Sequence, residues 1–204
     1  MSESILAIID LLLSYAHKDK EVQIFPHLRI DGDCIGSGAA LVAVLNKLSV
    51  KAKIYMDEPI SSRLQFMEIP ENFYEVYNAD NKDAYLSIQG VAVAVDCSVD
   101  ERMGESGALF SAASKTIVID HHVSSGNTSG TRYVDSQAAS TAELVLDIIR
   151  QLETKEKVDL IDPFVANCLM VGIQSDTGRF SYQNTTANTF NITQSRNKSI
   201  CGII

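Results

Sequence analysis

The sequence has no tryptophan, only four prolines and only four cysteines among its 204 residues. The cysteines, Cys34, Cys97, Cys168 and Cys201, form no CxxC pair, which removes the usual spacing of a structural zinc site. Basic residues are in deficit: 17 Lys and Arg stand against 26 Asp and Glu, a net charge of -9. Such a chain lacks the basic face that neutralises duplex phosphates, so long duplex DNA is excluded as a partner. Short phosphate esters stay open as substrates, because bound divalent cations would reverse the local charge. No apolar run approaches the ~20 residues that span a bilayer. Met1–Asp10 has no basic segment of the kind that opens a secretory signal. A cytoplasmic protein with reduced thiols and no membrane partner is expected.

What is present is ordinary globular material, 46 % apolar and 21 % charged. Chains of this length bury roughly 70 % of their unfolded surface, enough for a self-sufficient core. Ile5, Ile8, Ile9, Leu12 and Leu13 follow helical spacing. Val22–Phe25 and Lys53–Met56 read as strands, Ala39–Leu48 as a helix after Gly36-Ser37-Gly38, and Ser61–Met67 as a short helix. Val91–Val95 is wholly apolar, the mark of a strand covered on both faces, and Thr116–Ile119 is similar. Ala138–Leu152 and Asp162–Ile173 read as helices, the second opened by Asp-Pro. This alternation predicts an α/β fold, a parallel β-sheet flanked by helices on both faces.

Three strand-like runs end in acids. The first leads to His27, Asp31 and Asp33, the second to Asp96, the third to Asp120-His121-His122. Ligands bind beyond the carboxyl ends of strands in open α/β sheets. One aspartate there is an ordinary helix cap. Four, accompanied by three histidines, would repel one another unless cations lay among them. Mixed carboxylate and imidazole donors suit Mn²⁺ or a similar ion better than Ca²⁺. A further acid, Asp176, falls in Gly172-Ile-Gln-Ser-Asp176-Thr-Gly-Arg-Phe180, read as a loop after an apolar helix. Arg179 could pair with a substrate phosphate, since bidentate geometry is its strength. Cys34 and Cys97, inside these segments, read as small packing residues.

Together, His27-x-x-x-Asp31-Gly-Asp33-x-x-Gly36-Ser37, Asp96-Cys-Ser98, Asp120-His121-His122 and Gly172-Ile-x-Ser-Asp176-Thr-Gly-x-Phe180 occur in the order of four motifs. They resemble those of the DHH phosphoesterase superfamily. The Asp-Gly-Asp form and Asn184-Thr-Thr186 look most like its nano-RNase / phosphoadenosine-phosphate phosphatase branch. The resemblance, over residues 1–190, implies a catalytic lobe with a metal site at the strand ends. It implies that His27, Asp31 and Asp96 hold one Mn²⁺ and that Asp33, Asp96, His121 and Asp176 hold another, with Mg²⁺ or Co²⁺ as substitutes. Asp120 would orient His121, and His122 would act on the substrate phosphate as hydrogen-bond donor or general acid. The implied substrate is a short oligonucleotide or a nucleotide phosphate.

Family members usually carry a second, DHH-associated lobe and often pair through the first. Residues 191–204 read as an irregular tail, so the second lobe is expected to be absent, activity to be weakened, and a homodimer is the expected assembly. Two alternatives stand beside this reading. One is a family II-type inorganic pyrophosphatase, against which the Asp31-Gly-Asp33 and Gly36-Ser37 pattern speaks. The other is a catalytically impaired module that binds metal or nucleotide.

Overall fold

A computed structural model describes residues 3–122 and 130–193. Six strands form one sheet: β1 (Glu21–Phe25), β2 (Ala52–Met56), β3 (Tyr74–Val76), β4 (Gln89–Val95), β5 (Thr116–Asp120) and β6 (Thr131–Val134). Their order is β3-β2-β1-β4-β5-β6, and every neighbouring pair is parallel. The helices are α1 (Glu3–Leu13), α2 (Gly32–Lys47), α3 (Lys82–Ile88), α4 (Gly107–Ala112), α5 (Thr141–Glu156), α6 (Pro163–Asp176) and α7 (Ala187–Thr193). None of the described helices is long and apolar enough to cross a membrane.

The apolar run in β4 shows why the sheet has two covered faces. Val91, Val93 and Val95 enter one core with Val22, Ile24, Ile117 and Ile119, where α1, α2, α5 and α6 pack. Ala92 and Ala94 enter the other with Phe25, Tyr55 and Val118, against α3 and α4. Residues Val91–Val95 expose nothing. Each buried valine stabilises the fold by roughly 1.5–3 kcal/mol, so the run could not tolerate alternation with polar residues. The strand order reverses between β1 and β4, because β2 lies on one side of β1 and β4 on the other. Such a reversal opens a crevice beyond the strand ends. His27 follows β1 there, and Asp96 follows β4.

Two boundaries differ from expectation for one reason. Helix α2 begins at Gly32, so Gly36-Ser37-Gly38 lie inside it rather than before it. Helix α6 continues to Asp176, so Gly172 is helical rather than part of a loop. A Cβ on Gly36 would stand 2.4 Å from the Cys168 carbonyl oxygen, and one on Gly172 would stand 2.8 Å from Asp33 Oδ1. These glycines let α2 and α6 meet backbone to backbone. Helix α5 starts at Thr141 rather than Ala138, with Ser140 as its cap. Ser61–Met67 is a turn ending in the 3-10 segment Gln65–Met67, for only Met67 in it is buried. Helix α7 crosses the boundary expected at residue 190, and residues 194–204 of the expected tail lie outside the described residues.

Candidate metal centre

The crevice gathers side chains from four stretches of chain. Asp31 caps α2, its Oδ1 accepting hydrogen bonds from the N–H groups of Asp33 and Cys34, both at 3.0 Å. This anchors the first turn, so Asp33 turns inward while Asp31 stays half-exposed beside His27. Asp96, the residue after β4, has φ of 58°, a left-handed conformation that aspartate tolerates better than most residues. Its N–H still donates to the Ile119 carbonyl at 2.9 Å, and the bend turns its carboxylate into the crevice. Asp120 is the last residue of β5, and Asp176 the last of α6.

Asp96 lies at the middle. Its Oδ2 is 3.4 Å from His27 Nε2, and its Oδ1 is 3.6 Å from His121 Nε2 and 3.4 Å from His122 Nδ1. His27 Nε2 also faces Asp31 Oδ2 at 3.6 Å. His121 Nε2 faces Asp33 Oδ2 at 3.9 Å and Asp176 Oδ2 at 3.0 Å. The six side chains expected to hold metal therefore do meet, with Asp96 common to both histidines. Asp120 departs from expectation. Its Oδ1 accepts from the N–H of His122 at 3.0 Å and from His122 Nδ1 at 2.8 Å, so it orients His122 rather than His121. Arg179 is exposed, in a left-handed conformation just past α6.

The donor set fits divalent cations. The Nδ1 of His27 lies 2.5 Å from the Leu28 carbonyl oxygen and that of His121 lies 3.3 Å from the Ala138 carbonyl oxygen. A carbonyl only accepts, so Nδ1 carries a proton and Nε2 is the nitrogen turned to the carboxylates, the position that would ligate a metal once its own proton is lost. His121 Nε2 is buried, with Asp176 Oδ2 at 3.0 Å as its nearest carboxylate oxygen. Burial and the neighbouring charges of Asp96 and Asp176 push the Asp33 carboxyl well above its ordinary range. Burial opposes charge on His121, but Asp176, Asp33 and Asp96 outweigh it and raise the imidazole to about 9. The same contest, won by Asp31 and Asp96, raises His27. Without cations the cluster thus collects protons, the positive charge a metal would replace.

Sequence reasoning missed Thr141. Its N–H donates to Asp33 Oδ2 at 2.6 Å and its hydroxyl to Asp96 Oδ1 at 2.8 Å, while the Ala142 N–H donates to Asp33 Oδ1 at 2.9 Å. The start of α5 therefore rests on both acids, where the helix dipole favours negative charge. The available signal was Ser140-Thr-Ala-Glu143, a capping-box pattern. Ser140 Oγ accepts from the Glu143 N–H at 3.3 Å. Cys34 also lies within ligand reach of His27 and Asp31. Burial pushes its thiol up to about 12, so it stays protonated.

Residues 21–173 match the sequence profile described as the DHH family, N-terminal domain. The chain belongs to the DHH family. Among curated DHH relatives, it is similar to the bifunctional oligoribonuclease and PAP phosphatase NrnA of Mycoplasma pneumoniae, with 28 % identity over 171 residues. The match covers 83 % of this chain and 50 % of the relative, so the chain spans about half that protein's length. An exopolyphosphatase-related protein from Bacteroides fragilis shares the DHH lobe's fold, with a TM-score of 0.81 at 22 % identity over 94 % of this chain and 55 % of that one. Exonuclease RecJ bound to manganese shares it more distantly, with a TM-score of 0.54 at 17 % identity over 82 % of this chain and 41 % of that one.

Proposed function

We propose that this chain is the catalytic lobe of a divalent-cation-dependent phosphoesterase that cleaves short oligonucleotides or nucleotide phosphates. The observation that carries the reading is the meeting of His27, Asp31, Asp33, Asp96, His121 and Asp176 at the strand-order reversal, with both imidazole Nε2 atoms facing carboxylates. His27, Asp31 and Asp96 hold one ion; Asp33, Asp96, His121 and Asp176 hold the second. Bound Mn²⁺, with Mg²⁺ or Co²⁺ as substitutes, supplies Lewis acidity toward a phosphoryl oxygen and a lowered pKa for water.

The remaining residues handle substrate and proton. Asp120 fixes His122 by accepting at Nδ1, which leaves Nε2 of this half-exposed ring for a phosphate oxygen or the leaving oxygen. Burial opposes ionisation of Asp120, but hydrogen bonds from His122 and Ser98 keep its carboxyl below the ordinary range. It therefore remains an acceptor while His122 is protonated. Arg179 contributes a bidentate phosphate contact.

The test incubates the Mn²⁺-loaded chain with a 5′-labelled dinucleotide, adenosine 3′,5′-bisphosphate and pyrophosphate. Hydrolysis of a nucleotide substrate that disappears in Asp96→Ala is expected. Turnover surviving that substitution would place the chemistry elsewhere. Pyrophosphate turnover far above the others would favour a pyrophosphatase, and metal or nucleotide binding without turnover would favour a binding module.

A further inference from the structure

We infer that the cavity beside His27 seats a nucleobase of the substrate, an assignment that rests on the phosphoesterase reading above. The cavity encloses about 150 Å³ at the carboxyl ends of β1 and β2. Pro26, Leu28, Met56, Pro59 and Met103 line it, together with His27, which also contacts the acids. Sites that take a whole drug-sized ligand run to ~300–1,000 Å³. A cavity this small accepts one ring system, with sugar and phosphate outside it. His27 borders both the cavity and the carboxylates of Asp31 and Asp96, at 3.6 and 3.4 Å. A nucleotide whose phosphate is held by cations at those acids can therefore direct its base past His27 toward the cavity.

The chemistry of the walls suits a flat ring with polar edges. Proline and leucine offer apolar faces, and the thioethers of Met56 and Met103 favour contact with an aromatic ring. Arg29, Glu58 and Ser61, all exposed, also line it. A guanidinium stacks on a ring face, while a carboxylate and a hydroxyl accept from exocyclic amino groups. An aliphatic group would leave these polar side chains unused. Asp57 is already committed, since its two oxygens accept from the N–H groups of Glu105 and Ser106 at 2.6 and 2.8 Å. The Leu28 N–H donates to the Arg102 carbonyl at 2.6 Å. These bonds tie three walls together before any ligand arrives, so little ordering is needed on binding. Stacking reads ring faces, so the cavity distinguishes a base from none and discriminates weakly among bases.

The experiment compares a dinucleotide with its counterparts made abasic at each position in turn. The proteins are the Mn²⁺-loaded chain, Leu28→Ala, which removes a wall, and Ser61→Trp, which fills the opening. Leu28 is 43 % exposed and Ser61 is exposed, so neither change opens the core. For one of the two positions, the unaltered chain should favour the base-bearing substrate roughly tenfold in kcat/KM, in line with the strength of base stacking. That preference should shrink to about threefold or less in both variants. Equal kcat/KM with and without bases, or a preference that both variants retain, overturns the assignment. In parallel, 2-aminopurine riboside, which carries a base and no phosphate, is titrated by fluorescence without metal. Quenching by the unaltered chain that weakens in both variants supports the cavity even if no substrate is turned over, in which case the phosphoesterase reading alone fails. No quenching, or equal quenching in the variants, overturns the cavity while leaving hydrolysis to stand by itself.

Discussion

Replacing Thr141 with valine isolates one contact between a helix terminus and the acid cluster. Valine keeps the branched shape and has nearly the same helix propensity, so only the hydroxyl is lost. That hydroxyl donates to Asp96 Oδ1 at 2.8 Å in a fully buried setting, while the backbone bond to Asp33 is untouched. A hydrogen bond to a charged group contributes roughly 1.5–3 kcal/mol net. In EDTA the unfolding free energy should fall by that amount, read as a lower urea midpoint at unchanged slope. For a chain of this size each kcal/mol moves Tm by roughly 2–4 °C, so a drop of about 3–12 °C is expected. Mn²⁺ affinity should fall about 10- to 100-fold, because Asp96 loses the partner that orients it. Thr141→Ser restores the hydroxyl and should recover most of both losses. A valine variant as stable and as tight for Mn²⁺ as the parent would refute the reasoning. A serine variant as impaired as valine would assign the effect to packing instead.

Gly36→Ala puts a methyl 2.4 Å from the Cys168 carbonyl oxygen. Overpacking of about 1–3 kcal/mol should exceed the roughly 0.5–1 kcal/mol gained by removing a helical glycine, and a raised urea midpoint would disprove the close approach. Asp120→Asn removes the charge that supports protonated His122, so kcat should fall by roughly 10²–10⁴ while Mn²⁺ affinity, followed by calorimetry, stays near that of the parent. The pH dependence should reverse with metal. Without it, raised His27 and His121 lend stability that is full below their unfolded value of ~6.5 and is lost as pH climbs, through about 9 for His121. With Mn²⁺, protons compete with the ion, so metal-lent stability shrinks as pH falls through that range. The Tm difference between Mn²⁺ and EDTA samples should widen from pH 6 to 9; a constant difference would speak against imidazole ligands.

The central strands were legible because burial on both faces leaves a continuous apolar run, as in Val91–Val95 and Thr116–Ile119. The edge strands were not. Tyr74–Val76 and Thr131–Val134 are short and only partly buried, so neither a run nor an alternation marks them. Helices α3 and α4, at seven and six residues, are too short to show a period. Glycine misled at α2 and α6, where it was read as punctuation although it serves contact between two helices. The acids and histidines were visible as strand-end residues. Two partnerships were hidden. Which of the adjacent His121 and His122 meets Asp120 depends on how the chain leaves β5, and the contacts of Thr141 depend on where α5 docks.

The centre draws its side chains from residues as far apart as His27 and Asp176, and none of its segments holds the whole set. Ligation is therefore available only to a chain whose strands have already found their order. An ion that prefers this assembled state shifts the folding equilibrium as a whole, by about 2.7 kcal/mol at a free concentration one hundred times its Kd. Its grip would span β1 and α6 at once. Amide exchange in β1 and in α6 should slow together when the ion is added, although more than a hundred residues of chain separate them. A bound cation would thereby act as a proofreader of topology: a chain with its strands paired in another order, or with α5 undocked, would have nothing to offer it and would stay open to unfolding and proteolysis.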